Sequence, residues 1–283
     1  MLLRRGGNRS TSRRIVDDHV EFSTRARPDC GRALALFALL ALLIAPMAHA
    51  ELTVYAGVEY FDWHESTTPS VQETGPLALG GLIWLQDRDR GLLFGYRGEI
   101  YAGSVNYDGA NLFTGVPLQS NTQYLGMSNE AQLRYRIPAG RTEHVDVMLS
   151  LGADIWNRQL SSDQSETWLV GYTRLGLELA PHAATPGWIA SIGLKYPFYV
   201  YENAHLTDIG FDQNPTLSPG GNVSGYATFG YRFGGHWSVV GFYDSYRFLQ
   251  SPSAQVTSGG AVYNVYQPKS SMDVVGVAVL YSF

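Results

Sequence analysis

Three short stretches hold residue types that could do chemistry. Asp62-Trp63-His64 sets a carboxylate two positions from an imidazole, so an extended chain would present both on one face. A carboxylate that orients an imidazole to deprotonate water is general-base chemistry. His236-Trp237-Ser238 repeats the spacing with a hydroxyl, the pair a base-activated nucleophile needs. His205, Asp208 and Asp212 are metal-ligating types, but their spacing matches no recognised ligand pattern and reads as a solvated loop. No acidic pair stands ready to complete the first stretch, because Asp108, Asp163, Asp212 and Asp244 are scattered. Pro219-Gly220-Gly221 and Ser258-Gly259-Gly260 read as loop punctuation, not phosphate cradles. No cofactor, no metal and no catalytic residue is expected.

The elements that must position these residues are strands. Val145, Val147, Leu149, Leu151, Ala153 and Ile155 alternate with His144, Asp146, Met148, Ser150, Gly152, Asp154 and Trp156, one face apolar and the other mostly polar. From Trp188 the pattern repeats, with Ala190, Ile192, Leu194, Tyr196, Phe198 and Val200 outward and Ser191, Gly193, Lys195, Tyr199 and Tyr201 inward. Pro197 marks a bulge there. Continued along the chain, the pattern predicts strands near 52–64, 75–86, 92–106, 122–137, 144–158, 167–180, 188–202, 223–234, 236–249 and 271–283. Short connections at Asp87 to Arg90, Pro138 to Arg141, Pro181 to Gly187 and Gly234-Gly235 alternate with polar loops at 65–74, 107–121, 159–166, 203–222 and 250–270. The weakest strands are the second, whose inward face would hold Leu82 and Trp84, and the ninth, where Val239, Val240 and Phe242 blur the parity.

Charge falls on one side of this register. Glu59, Arg97, Glu99, Glu130, Arg134, Arg136, Asp146, Asp154, Arg158, Arg174, Glu178, Lys195 and Arg232 all share the face opposite the apolar one. Charges confined to one face are tolerable only where that face is wet or internally paired. A soluble sandwich or lipocalin-like barrel would also alternate, but it would bury the apolar face. Near-balance of the two signs suggests a paired network, Arg being favoured for its planar fork. The plain reading of that network is structural, with a selectivity or gating role as the alternative.

Composition agrees with a membrane-exposed wall. All 18 Tyr and all 6 Trp lie after residue 50, where 12 basic and 21 acidic residues argue against nucleic acid as a partner. Ala33 to Ala45 is an apolar run preceded by Arg25, Arg27 and Arg32 and followed by Ala48-His49-Ala50. It reads as a signal peptide exported by Sec and cleaved after Ala50. The long Arg-rich stretch before it leaves the translation start open. Arg13-Arg14 is followed by Val16-Asp17-Asp18, which is not a twin-arginine signal. Cys30 is the only cysteine and precedes the apolar run, so the exported part has no thiol chemistry.

At the end of the chain, Val275, Val277, Val279, Tyr281 and Phe283 fall on one parity. An apolar strand closing on a terminal Phe resembles the last strand of Gram-negative outer-membrane β-barrels. In that family the terminal aromatic belongs to the signal read by the assembly machinery. The resemblance implies a closed antiparallel all-β transmembrane barrel over 51–283 as a single domain, of about ten strands with eight or twelve left open. It implies short periplasmic turns, long outer loops and location in the outer membrane. The partners it implies are outer-membrane lipid (lipopolysaccharide), the barrel-assembly machinery and periplasmic chaperones.

Two motifs bear a narrower likeness. Asp62-X-His64 resembles the rim dyad of the omptins, ten-stranded proteases, but those carry it late in the chain. His236-X-Ser238 resembles the His-X-Ser of lipid A deacylase barrels, but here it follows a short turn on the periplasmic side, away from lipid A. The expectation is therefore a non-enzymatic barrel with a charge-paired interior and outer loops for binding or shielding. A narrow passive pore for small solutes is the alternative, and a protease or lipid-modifying enzyme comes third.

Overall fold

The computed structural model describes residues 2–5, 50–111, 115–182, 185–234 and 236–283. The expected signal run Ala33 to Ala45, Ala48-His49 and Cys30 lie outside the described residues. Ten strands form the wall: β1 (Ala50–Glu65), β2 (Val71–Gln86), β3 (Gly91–Ala110), β4 (Pro117–Ala139), β5 (Glu143–Gln159), β6 (Ser165–Pro181), β7 (Gly187–Ala204), β8 (Ser224–Arg232), β9 (Trp237–Phe248) and β10 (Ser270–Ser282). Each pairs antiparallel with its neighbours in sequence, and β10 pairs with β1 from Ser270↔Glu65 to Ser282↔Thr53, so the sheet has no free edge. Beyond the last paired residue, the Phe283 amide donates to the Leu52 carbonyl at 2.8 Å.

Two-residue periodicity sets what faces where. Val58, Ile100, Leu125, Leu149, Leu175, Ile192, Leu194, Phe229, Val275 and Val277 point outward and are exposed, Ile192 to 68 %. Such a band is stable only in contact with hydrocarbon. Near the short turns it is edged by aromatic rings: Trp188 packs on Phe229 and Tyr231, and Tyr281 on Trp237 and Phe283. This is an interfacial girdle. On the inner face Tyr172 lies so flat across Gly152 that a Cβ there would sit 2.3 Å from the ring. Gly126 makes the same room for Tyr101.

Three sequence expectations change. Leu82 and Trp84 face outward, because β2 turns its odd-numbered positions inward and buries Glu73, Leu77 and Leu79. Val200 is buried and Tyr199 exposed, the reverse of the simple alternation. The pairing slips between Gly171↔Tyr199 and Tyr172↔Pro197, so Phe198 is an extra residue and every later side chain of β7 changes face. The bulge expected at Pro197 is present, and its consequence is that Glu202 turns inward instead of Tyr201. Strands also run further beyond the lipid band than expected, β3 to Ala110 and β4 from Pro117, leaving short outer connections there. The ninth strand resolves cleanly, with Val239 outward and Val240 inward.

The connections after β7 and β9 carry structure of their own. A 3-10 turn at Leu206–Ile209 and a hairpin of Ala254–Ser258 with Ala261–Tyr266 enclose a small core of Ala204, Leu206, Phe211, Leu217, Val256 and Val265. Leu2–Arg5 adds antiparallel to the outer strand of that hairpin.

Candidate functional site

Among the described residues the barrel interior is where the strands bring most ionisable groups together, a smaller outer-face pair joining Arg247 to Asp273 at 2.6 Å, and the interior divides into tiers along the axis. Nearest the short turns, Arg136 grips Asp146 through two parallel hydrogen bonds of 2.9 Å, while Arg134 donates to Glu178 at 2.6 Å. Arg134 also donates twice to the Gln132 amide oxygen, and Gln132 in turn donates to Glu130 at 2.7 Å. Arg232 reaches Glu51 at 3.2 Å. These groups edge a cavity of about 180 Å³ lined by Arg97, Glu99, Arg134, Arg174, Glu178 and Arg232.

In the middle tier Arg97 donates to Glu99 at 2.7 Å and to the Tyr55 hydroxyl at 3.1 Å. Arg174 bridges Glu130 at 3.2 Å and Asp244, which also accepts from Lys195 at 2.9 Å. The Lys195 ammonium lies 3.3 Å from the centre of the Tyr246 ring. Asp154 accepts from the hydroxyls of Tyr101 and Tyr246 at 3.0 and 3.2 Å. Glu59 is buried with no ion-pair partner among the described residues.

In the outer tier aromatic rings meet across the lumen. Trp63 on β1 meets Trp168 on β6 edge-on at 5.3 Å, and β1 and β6 stand on opposite sides of a ten-strand ring. Trp156 stacks on Trp168 at 5.4 Å, and Phe248 packs on both Trp63 and Trp168. Trp63 and Trp168 are 1 % and 0 % exposed. Beside these rings the Arg158 guanidinium donates to Glu65 at 3.2 Å, to Glu166 at 2.8 Å and twice to Glu73, at 2.8 and 3.0 Å. Glu73 also accepts from Thr122 at 3.0 Å and from the Tyr124 hydroxyl.

All thirteen charged positions singled out from the sequence thus lie on the inner face, and twelve of them make a hydrogen bond or ion pair there. Parity alone did not include Glu51, Glu65, Glu73, Glu166, Glu202 or Asp244. Glu65 continues the Phe61, Trp63 alternation one step past the expected strand end, and Glu73 continues Leu77 and Leu79 backward, so longer strands would have caught both. Glu202 was hidden by the bulge. Val275, Val277, Val279, Tyr281 and Phe283 line the outer face of β10.

The three stretches that could do chemistry lie apart from this network. Asp62 accepts from Gln72 at 3.1 Å on the outer surface, and His64, directly opposite Ser271 on β10, is exposed. His236 is exposed beside the short turn with its ring 5.6 Å from Tyr281, while Ser238 is buried. His205 contacts the Thr167 hydroxyl at 3.1 Å, and Asp212 accepts from the Thr257 amide at 2.7 Å. No His, Cys, Asp and Glu group among the described residues is arranged to hold a metal ion.

No family model matches the chain, and no curated protein matches it. Among solved structures it is similar to the outer membrane protease OmpT from Escherichia coli, at 10 % identity and TM-score 0.49, over 83 % of this chain and 96 % of that one. It is similar to the translocator domain of autotransporter NalP from Neisseria meningitidis, at 13 % identity and TM-score 0.39, over 89 % and 95 %. The transport unit of autotransporter AIDA-I from Escherichia coli aligns at 10 % identity and TM-score 0.39, over 92 % and 100 %. No residue role carries over at such distances. The closed ten-strand wall, the exposed apolar band with its aromatic girdle and the charged interior give this chain the architecture of a transmembrane β-barrel.

Proposed function

We propose that the protein is a non-conducting, non-enzymatic barrel of the outer membrane whose outer loops bind or shield. The observation that carries this reading is the contact of Trp63 with Trp168 across the full width of the ring, reinforced by Arg158 bonding β1, β2 and β6 at once. A ten-strand barrel has little more room than its side chains fill. Here the outer end of that room is spanned by indole rings in van der Waals contact. The structured loops after β7 and β9, with their own apolar core, supply a firm platform above.

Planar-bilayer recordings of the folded protein test the reading. Wild type should show almost no stable conductance, and Trp63→Ala with Trp168→Ala should raise it. A stable open level in wild type would instead favour a narrow passive pore, a reading that the cavity at the short-turn end supports. For catalysis, His64→Ala and His236→Ala should leave the lipid profile and peptide cleavage as in wild type.

A further inference from the structure

Glu59 on β1 faces the lumen, is 7 % exposed, and has neither a hydrogen bond nor an ion pair among the described residues. It lines a cavity of about 60 Å³ in the middle tier. The other carboxylates around that cavity are committed: Glu99 to Arg97 and the Tyr55 hydroxyl, Asp244 to Arg174 and Lys195, and Asp154 to the hydroxyls of Tyr101 and Tyr246. Even counting Lys195, four carboxylates there face three cations, and the uncompensated negative charge falls to Glu59. An aromatic ring borders it. Phe242, Gly276 and Glu59 lie directly across from one another on β9, β10 and β1. The Phe242 ring covers Gly276 so closely that a Cβ there would sit 2.3 Å from it, so the ring reaches over β10 toward β1.

This cavity adjoins others. It shares Arg97, Arg174, Tyr226 and Phe242 with the cavity of about 180 Å³ toward the short turns, whose lining includes Ile83, Val240 and Leu280. That one in turn shares Glu51, Glu178 and Arg232 with a third, of about 250 Å³, which the exposed Asp87 and Asp89 of the first short turn also line. Adjoining hollows thus lead from the short-turn end to Glu59. A buried carboxylate left unpaired is costly, and the partner it lacks must bring positive charge and donors. A metal ion would find a single free carboxylate, since the other three are committed, and no described group has a metal-holding arrangement. A primary ammonium carries three N–H donors and no acceptor, and a ring face suits a cation. The aliphatic lining of the next cavity suits an apolar body attached to it.

We propose that the middle of the lumen is a binding site for a primary amine with a short apolar body, its ammonium on Glu59 beside the Phe242 ring and its body in the adjoining cavity. Ligand enters from the short-turn end, where Asp87 and Asp89 give the approach a charge that attracts cations. The site rests neither on the outer loops nor on whether the barrel conducts.

Calorimetric titration of the folded full chain in detergent with butylammonium tests it, with butanol as the uncharged probe of the same length and butyrate as the anion. Butylammonium should bind saturably and about tenfold or more tighter than either control. Glu59→Gln should lower its affinity about tenfold or more, the loss of a hydrogen bond between charged groups. Phe242→Leu, which keeps apolar bulk and removes the ring face, should lower it about threefold. Heat-modifiable migration reports whether each variant folds, and if Glu59→Gln does not, Phe242→Leu and the two control probes decide. Absence of saturable butylammonium binding to wild type, equal binding by folded Glu59→Gln, or butanol binding as tightly as the amine would overturn the proposal. So would an infrared carboxylic-acid band lost in Glu59→Gln and insensitive to butylammonium, which would mean that Glu59 is simply protonated.

Discussion

The two ends of the lumen solve the same problem in different ways. At the short-turn end, ion pairs stay near the wall: Arg136 to Asp146 joins adjacent strands, Arg134 to Glu178 skips a single strand and Arg232 to Glu51 skips two. The axis there is left as a cavity of about 180 Å³. At the outer end the contacts run across the axis. Arg158 on β5 reaches Glu65 on β1, and Trp63 meets Trp168 on the far wall. Wall-parallel pairing tightens a sheet and leaves space, whereas transverse pairing fills the space and couples strands distant around the ring. A ten-strand barrel can therefore be open or shut according to which partners its charges choose.

The largest effect should come from breaking the transverse set. Arg158→Met leaves Glu65, Glu73 and Glu166 buried without their shared cation, and removing one member of such a group costs about 3–5 kcal/mol. Urea unfolding in lipid vesicles, read by heat-modifiable migration, should show that loss. Bilayer recordings of the same variant should show intermittent openings absent from wild type, because the aromatic rings lose the Arg158 guanidinium that sits 5.4 Å from the Trp63 ring. A stable, silent Arg158→Met would mean that the aromatic contacts alone close the barrel.

A smaller effect is expected from the wall-parallel set. Asp146 is buried between Arg136 and Arg134, but a cavity lined by Asp87, Asp89, Arg136 and His144 lies beside it at the short-turn end. Water from that side can rehydrate an unpaired guanidinium, so Asp146→Asn should cost only what a charged hydrogen bond is worth, about 1.5–3 kcal/mol. The same unfolding measurement checks it, and conductance should stay unchanged. If Asp146→Asn destabilises as much as Arg158→Met, the distinction between the two ends fails energetically.

Which parts of this were legible in the sequence follows from periodicity. Alternation in β5, where seven inward residues from His144 to Trp156 keep one parity, reports the wall directly, because lipid on one side and a charged lumen on the other leave no ambiguity. Charge on the inner face could be read for the same reason. Partner choice could not: Arg158 and Glu73 are far apart in sequence, and their meeting depends on ring closure. Nor could the inward turn of Glu202, which follows from one extra residue at Phe198. The second strand misled because both of its faces are rich in leucine, so Leu82 and Leu79 differ only in parity. The acidic cluster was thus missed wherever strand ends and a bulge, not strand centres, determined direction.

The smallest effect probes what lies above the transverse set. Asp212 accepts from the Thr257 amide at 2.7 Å, and that backbone donor, with the Thr257 hydroxyl, holds its carboxyl below the ordinary aspartate value of 3.8. A group whose folded value is depressed stabilises the fold only where it is ionised. Its contribution is complete above pH 3.8 and disappears as the pH falls through the lower, folded value. Asp212→Asn should therefore lower amide-exchange protection at Thr257 near neutral pH, and the gap from wild type should close in strong acid. The loop is otherwise held by Leu206, Phe211, Leu217, Val256 and Val265, whose burial does not titrate. Residual protection in acid should thus survive in both proteins. Complete loss of protection at Thr257 in the variant at neutral pH would mean that this one hydrogen bond, and not the apolar core, keeps the loops folded at the outer end.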